Sequence, residues 1–417
     1  MFTFIDLFSG IGGFRIALES LGGKCVGSSE IAGPAIKVYH DNWSEDDNVG
    51  DITKISSLPE HDIMVGGVPC QSWSIAGKMK GFEDPRGQLW GDVIRLLNKN
   101  QPKAFIFENV KGLADPRNTV EREFLIEQMN LAGYDVRYKL LNAYDYGVPQ
   151  NRERIFIVGA KDLTDFQWPQ ECRSQTMLLD YMDGMEHLRA HAVRNSDPEI
   201  NQATTGNRLT LHGERNEFFI FNDVRDGETV IHSWDLKGLS HRECEICNTI
   251  LKNRRSSKYG PKDGNPLSYQ DLLVLIPNLM EVELVKLQNA GVLVRFDQSK
   301  YDFKNRRQLS GIDGVYRIFL PNARFFSTLT ASGTPDLIAT TLISASTDEE
   351  YRRKFIKEIY DAKAYRRPTA REYARIQGFP DTHRLHPSAS ANTKLIGNAV
   401  PPPLVKQVAQ QLVKVLR

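Results

Sequence analysis

Short apolar runs alternate with amphipathic stretches through the first 160 residues, and this alternation restricts the fold more than any other feature of the chain. Residues 2–7 read as a strand and 14–21 as a helix; 25–29 form a second strand, followed by a helical stretch through Ala35, Ile36 and Tyr39. Strands follow at 63–66 and 104–107, with Leu89, Val93, Leu96 and Leu97 at helical spacing between them. Phe124, Leu125, Met129 and Leu131 suggest another helix, and 138–141 and 154–158 two later strands. Strand and helix in strict alternation predict an α/β fold with a mostly parallel, doubly wound sheet. Such sheets carry their chemistry at the carboxyl ends of the strands.

The alternation stops after Trp168-Pro169. From there to about 346 the chain is irregular, with isolated strands at 218–221, 292–296 and 315–319, and reads as a smaller, irregular α+β domain. Near Pro368 it becomes compact again, with a helix over 370–376 and another over 401–415 whose prolines suit a helix N-terminus. A chain of 417 residues has room for two cores. The expected division is a first domain at 1–170 completed by 381–417, a second at 171–365, and a hinge segment at 366–380.

The formal net charge is only +1, so any anionic partner must be met locally. Basic residues cluster at Lys252, Arg254, Arg255, Lys258 and Lys262, at Lys300, Lys304, Arg306 and Arg307, and between Arg352 and Arg371. Five cysteines, odd in number and irregularly spaced, argue against a disulfide framework and for a reducing compartment. The first residues lack a basic leader, and no apolar stretch approaches the roughly 20 residues that span a bilayer. A cytoplasmic protein without a membrane partner is expected.

Chemistry concentrates at the strand ends. Pro69-Cys70-Gln71 follows the apolar run at 63–65 and Gly66-Gly67, a setting that holds a thiol at the sheet edge. A thiol acts as a nucleophile only as thiolate. Glu108-Asn109-Val110 ends the next strand, and Gln150-Asn151-Arg152-Glu153-Arg154 leads into the last. Asp6-Leu7-Phe8-Ser9-Gly10-Ile11-Gly12-Gly13 joins the first strand to the first helix, where glycines let a ligand approach the backbone. The third small residue of a dinucleotide fingerprint would fall at Arg15, which is wrong for a pyrophosphate and disfavours a nicotinamide oxidoreductase. Glu30 lies where ribose hydroxyls are bound, and Asp51 can meet an adenine amino group. Together they favour an adenosine cofactor without pyrophosphate, and S-adenosylmethionine fits.

These segments resemble the cytosine-C5 DNA methyltransferase family. In family order the chain shows Asp-Leu-Phe-Ser-Gly-x-Gly-Gly at 6–13, Gly-x-Pro-Cys-Gln at 67–71 and Glu-Asn-Val at 108–110. Tyr-Gly-Val-Pro-Gln-x-Arg-x-Arg at 146–154, Arg-Pro-Thr-x-Arg-Glu at 367–372 and Gly-Asn-Ala-Val-Pro-Pro at 397–402 complete the set. The resemblance covers roughly the first 160 and last 50 residues and implies a Rossmann-like S-adenosylmethionine-dependent domain with a target-recognition domain between. It implies a cofactor pocket built from Asp6, Phe8, Ser9, Gly10, Gly12 and Gly13, with Glu30, Ile31, Asp51, Ile52 and Pro69 beside them and Asn398 and Ala399 closing it. Phe8 covers the cofactor or simply fills core.

By the same resemblance Cys70 adds to C6 of a flipped-out cytosine, Glu108 serves N3, and Arg152 and Arg154 hold the base. Cytosine C5 is a poor nucleophile until that addition makes an enamine of the ring. A carboxyl beside the apolar strand at 105–107 should have its pKa raised, which suits a proton donor. The base cannot react inside a stacked duplex, so the partner is double-stranded DNA with the target cytosine turned out. Gln71, Ser72, Ser74, Lys78, Lys80 and Arg86 are expected in a loop that closes over it, and the run at 327–333 faces the DNA. A restriction–modification role implies a cognate restriction endonuclease acting at the same site. Alternatives are a tRNA cytosine-C5 methyltransferase, whose Cys-Phe-Thr signature is missing, and a catalytically silent DNA-binding homologue, which would be expected to lose Cys70 or Glu108. His241, Cys244 and Cys247, with His232 upstream, have odd spacing for zinc, and no metal is assigned.

Overall fold

The computed structural model describes residues 1–45, 48–69, 89–173, 176–194, 216–262, 264–296, 299–304, 316–345 and 347–416. It divides into two compact units, one of Met1–Asp183, Arg324–Thr334 and Pro368–Arg417, the other of Gly184–Ala323 and Pro335–Arg367.

The first unit is built on a six-stranded sheet. Its strands are β1 (Phe2–Leu7), β2 (Gly23–Ser29), β3 (Ile63–Gly67), β4 (Ala104–Val110), β5 (Asp135–Asn142) and β6 (Glu153–Ala160), in the order β2-β1-β3-β4-β6-β5. β1 pairs in parallel with β2 and β3, and β3 with β4, as the alternation predicts. β6 alone runs against its neighbours β4 and β5. The ten residues between β5 and β6 hold only a short turn of helix, Ala143–Tyr146. A link without a full crossover helix returns the chain antiparallel. The fold is Rossmann-like α/β.

Helices α1 (Gly13–Glu19), α2 (Gly33–Asn42), α3 (Leu89–Asn100) and α4 (Thr119–Leu131) link the strands. Buried clusters cover both faces of the sheet. Phe4, Ile63, Val65 and Ile106 pack with Leu404, Val405, Val408 and Leu412 of the Pro402–Val415 helix. Ile5, Met64, Phe105 and Phe107 pack with Trp90, Val93, Leu96 and Leu97 of α3. The period-2 alternation along β1 thus feeds both cores. Chain direction across the sheet reverses between β1 and β3, and their carboxyl ends lie side by side, with Leu7 opposite Gly66. A topological switch point of this kind opens a crevice at the strand ends.

The unit boundaries depart from the expected ones at three places. Residues 171–183 and 368–380 belong to the first unit, and so does Arg324–Thr334, which the sequence places inside the second domain. The physical reason is hydrogen bonding. Asn151 N donates to Phe326 O at 2.9 Å and Phe326 N to Pro149 O at 2.9 Å, so the segment pairs with the approach to β6. Glu372 is buried; Oε1 accepts from Asp183 N at 2.8 Å while Oε2 caps the Ala370–Gln377 helix through Thr369 N at 2.6 Å. No helix among the described residues is long and apolar enough to cross a membrane.

The second unit carries a five-stranded sheet in the order Tyr365–Arg366, Leu337–Ala339, Tyr316–Phe319, Glu217–Ile220, Val230–Ile231. Phe218 stacks on Phe355 at 4.0 Å in its core. A three-stranded sheet (Leu293–Phe296, Lys300–Phe303, Leu267–Ser268) packs with the helices His241–Asn253, Tyr269–Leu275 and Glu281–Asn289 in a second core. Cys247 is fully buried there among Ile246, Ile250 and Leu251, so its thiol faces hydrocarbon. Among the described residues no group of three His, Cys, Asp or Glu is arranged to hold a metal.

Candidate active site

Glu108 stands directly opposite Gly67, the last residue of β3, in the β3–β4 ladder. Two residues on, Pro69 is half-buried. Asn109 Nδ2 donates to Val68 O at 3.2 Å and so holds the exit of β3 against β4. Asn109 had no assigned part in the sequence reading. Cys70, Gln71, Ser72, Ser74, Lys78, Lys80 and Arg86 lie outside the described residues.

Arg154 faces Val110 across the β4–β6 ladder, which sets its side chain diagonal to Glu108. Its Nε lies 2.9 Å from Glu108 Oε1, with side chains only 12% and 9% exposed. Burial pushes the Glu108 pKa up, and the cations of Arg154 and Arg152 oppose this. The net direction is the one expected from its apolar strand, so the group favours a bound proton.

Arg152 is 1% exposed and anchored by backbone. It donates to Leu329 O at 2.8 Å, Gly397 O at 3.1 Å and Ala399 O at 3.0 Å. Its fork is spent on three carbonyls that bring the 324–334 segment and the end of the Ala389–Asn398 helix together, with its charge felt at Glu108. Gln150 and Gln377 extend the clamp: Gln150 Nε2 donates to Gln377 Oε1 at 2.6 Å, and Gln377 Nε2 donates to Ala399 O. Gln377 carried no sequence signal, because an amide in a helix resembles any polar surface residue.

The loop after β1 takes a conformation few sequences allow. Phe8 has φ +53°, Gly10 +55° and Gly12 +84°, three left-handed residues within five. Ser9 N is held by Ser29 O at 3.0 Å and Gly10 N donates to Glu30 Oε2 at 3.0 Å. The Glu30 Oε1 atom accepts from Ile31 N and Ala32 N, both at 2.8 Å. The glycines divide by task. A Cβ on Gly10 would meet nothing nearer than Phe8 O at 3.9 Å, so this position faces open space. A Cβ on Gly12 would collide with the Trp43 ring, and one on Gly13 would come 2.5 Å from Val400 O. At Gly12 and Gly13 the space that a side chain would take is filled by protein. Trp43, unmarked in the sequence, is held by Nε1 to Glu19 Oε2 at 3.1 Å and carries the Arg15 guanidinium 4.8 Å above its ring.

The remaining pocket residues separate in the same way. Asp6 is fully buried and accepts from Tyr39 OH at 3.3 Å. Ile52 is likewise buried, whereas Ile31 is 72% exposed. Asp51 Oδ1 accepts from Thr53 N at 3.0 Å and Thr53 Oγ1 at 2.9 Å, bonds that hold its pKa below the usual range. Arg95 of α3 donates to Ile52 O at 2.7 Å and Ile55 O at 2.8 Å, tying this segment down. Phe8 is half-buried against the core that contains Ile52. Asn398 is exposed, while Ala399 contributes its carbonyl to the Arg152 clamp.

These residues fit an adenosine cofactor. Ser9 Oγ is buried without a hydrogen-bond partner among the described residues. It lies beside the open side of Gly10, the Glu30 carboxylate and the bare Ile31 side chain, a set of one polar donor, one acceptor and one apolar cover. S-adenosylmethionine presents hydroxyls, an amine and an apolar ring edge to match, and Ser9, Gly10, Glu30 and Ile31 would hold it.

Comparison with known proteins agrees with this geometry. The model of the C-5 cytosine-specific DNA methylase family matches residues 2–414. Type II methyltransferase M.HgiBI of Herpetosiphon aurantiacus is 51% identical over 421 residues, covering 99% of this chain and 96% of the relative. Type II methyltransferase M.BanI of Aneurinibacillus aneurinilyticus is 34% identical over 438 residues, with 98% and 95% covered. Among solved structures, the Entamoeba histolytica methyltransferase EhMeth aligns over 100% of this chain and 98% of its own, with TM-score 0.55 and 16% identity, a likeness of fold. Family match, full-length relatives and site geometry converge: the chain belongs to the C-5 cytosine-specific DNA methylase family, and is a DNA (cytosine-5-)-methyltransferase that uses S-adenosylmethionine as methyl donor.

Proposed function

We propose that the protein methylates cytosine in double-stranded DNA at a specific site, as the modification enzyme of a restriction–modification system in the cytoplasm. The names of its relatives, Type II methyltransferases matched over nearly their whole length, support the site-specific reading. The observation that carries the chemistry is Glu108 at the carboxyl end of β4, opposite Gly67 and held at 2.9 Å by Arg154.

The target cytosine leaves the stack and enters the crevice beside β3 and β4. The Cys70 thiolate forms a bond to C6. The C5–C6 π pair shifts to make a C4–C5 double bond and the C4–N3 π pair passes to N3, which takes a proton from Glu108, so C5 becomes the nucleophilic carbon of an enamine. S-adenosylmethionine, when bound, supplies an electrophilic methyl group within reach of C5. As C5 takes the methyl group, N3 returns its proton to Glu108 and the C4–N3 double bond re-forms; the C5 hydrogen then leaves as a proton, the C5–C6 double bond re-forms and the thiolate departs. Arg154 orients the Glu108 carboxyl and places positive charge near the base. Arg152 acts one step back, by fixing the backbone on which the pocket closes. Phe8, Ser9, Gly10, Glu30 and Ile31 hold the cofactor, with Asp51 near its adenine and Asn398 at the rim.

Two measurements test this. Bisulfite sequencing of DNA from cells expressing the protein should show one short motif protected at a single cytosine; unprotected DNA would refute the activity. Cys70→Ala should abolish methyl transfer and leave S-adenosylmethionine affinity within about twofold by calorimetry. Retained turnover in that variant would refute the thiolate step.

A further inference from the structure

The five-stranded sheet of the second unit has one core face and one face of mixed character. Phe218, Ile220 and Ile318 point into the core with Tyr351 and Phe355. The alternate residues Glu217, Phe219, Arg317 and Phe319 share the other face, where Arg317 pairs with Phe219 and Phe319 with Glu217 across the ladder. Arg317 is spoken for: its guanidinium reaches Asp336 Oδ2 at 2.7 Å and lies 5.8 Å from the Phe219 centroid and 5.6 Å from Phe319.

Arg225 is different. Its guanidinium sits 5.3 Å from the same Phe219 ring, and the residue is exposed. Among the described residues it makes no hydrogen bond or ion pair. The neighbouring acid Asp226 turns instead to His232, 3.5 Å from Nε2. Burial, with the like charges of Arg255 and Arg317, pushes the Arg225 pKa down. Glu217, buried on the same sheet face as Phe219, is raised to about 8 and so is largely neutral at pH 7, which leaves it a poor counter-charge. Of the basic run beginning at Lys252, Arg254 is not a surface cation at all: it is buried against Asp302 at 3.0 Å.

A planar cation held on a ring, crowded by like charges, is preorganised for an anion with two acceptor oxygens. Guanine edges offer two acceptors but no net charge, so they would leave the crowding unrelieved. We infer that Arg225, seated on Phe219 beside Arg317 and Arg255, binds a backbone phosphodiester of the DNA. This rests on the DNA-methylating activity proposed above and deepens it, by assigning one contact of the second unit as a positioning contact that carries no base information.

The experiment measures equilibrium binding of the full chain to several duplexes of unrelated sequence across a salt series, by fluorescence anisotropy. Arg225→Ala should weaken all of them alike, by about tenfold or less at low salt, and reduce the slope of log K against log salt by about 0.9. Arg225→Lys should keep most of that slope, since it keeps the charge. Affinity for S-adenosylmethionine, measured alone, should not change in either variant. An unaltered salt slope, a loss confined to duplexes with one particular base pair, or a fall in cofactor affinity would each overturn the inference. Because no methyl transfer is read, failure here leaves the Cys70 chemistry standing, and failure of that chemistry leaves this contact standing.

Discussion

Glu108 sits between two opposing influences, the loss of water around its carboxyl and the guanidinium 2.9 Å away. Burial wins, so its folded pKa stands above the unfolded one. Its contribution to stability is therefore fully present below the unfolded pKa and is lost as pH rises through the folded value. Glu108→Gln removes that dependence. The melting temperature of the variant, relative to wild type, should climb with pH by calorimetry; a difference that stays flat or falls would contradict the direction. The rate of methyl transfer should drop strongly in the same variant. Glu217 offers a second test with a narrower window, because its pKa is raised from 4.5 to about 8 by burial, Arg317 opposing and Asp336 adding to it. Glu217→Gln should flatten the stability profile between those two values. Arg152 differs from both, since its role is to satisfy three carbonyls. Lysine cannot match that fork, so Arg152→Lys should cost roughly 3 kcal/mol in urea unfolding. A loss under about 1 kcal/mol would show that the clamp matters little.

At the scale of elements, the loop between β1 and α1 shows that one glycine motif serves protein packing as well as ligand approach. Its glycines were expected to admit a ligand. Gly10 does face open space, but Gly12 and Gly13 admit Trp43 and Val400, residues 31 and 387 positions later in sequence. A close approach by protein and one by ligand leave the same mark in sequence, a missing side chain. Gly12→Ala would combine a left-handed φ of +84° with a collision on Trp43. The expected penalty is about 3 kcal/mol, from backbone strain and overpacking together. The Arg95 tie between α3 and the 51–55 segment makes a separate prediction, because that segment carries Asp51, proposed to lie near the cofactor's adenine. Arg95→Met should weaken S-adenosylmethionine binding several-fold while kcat at saturation changes little. Equal losses in kcat and kcat/KM would place Arg95 in the chemistry instead. The strand ends that bear Glu108 and Pro69 were legible because alternation and glycine punctuation locate them without tertiary information. The orientation of β6 was not, since period-2 patterning is the same in either direction.

For the whole molecule, the last 50 residues are part of the first core rather than an appendage. Leu404, Val405, Val408 and Leu412 are fully buried against β1, β3 and β4 residues. Their burial contributes roughly 8 kcal/mol, comparable with the total stability of an ordinary domain. Motif order in the sequence marked this return, yet it did not mark Arg324–Thr334, whose membership depends on hydrogen bonds to Pro149 and Asn151 that no local pattern encodes. Gln377 was hidden for the same reason, since a polar side chain reads as surface until its partners are located; the motif at 146–154 marked Gln150 and Arg152, but not their partners in the fold. The chemistry proposed for this framework rests on a transient bond between Cys70 and the pyrimidine ring, and a substrate that cannot release its C5 substituent should capture it. Mass spectrometry of the enzyme incubated with S-adenosylmethionine and duplex DNA carrying 5-fluorocytosine at the methylated position should show a protein–DNA adduct, with the crosslink at Cys70. Full cofactor occupancy and tight DNA binding without any such adduct would contradict the account.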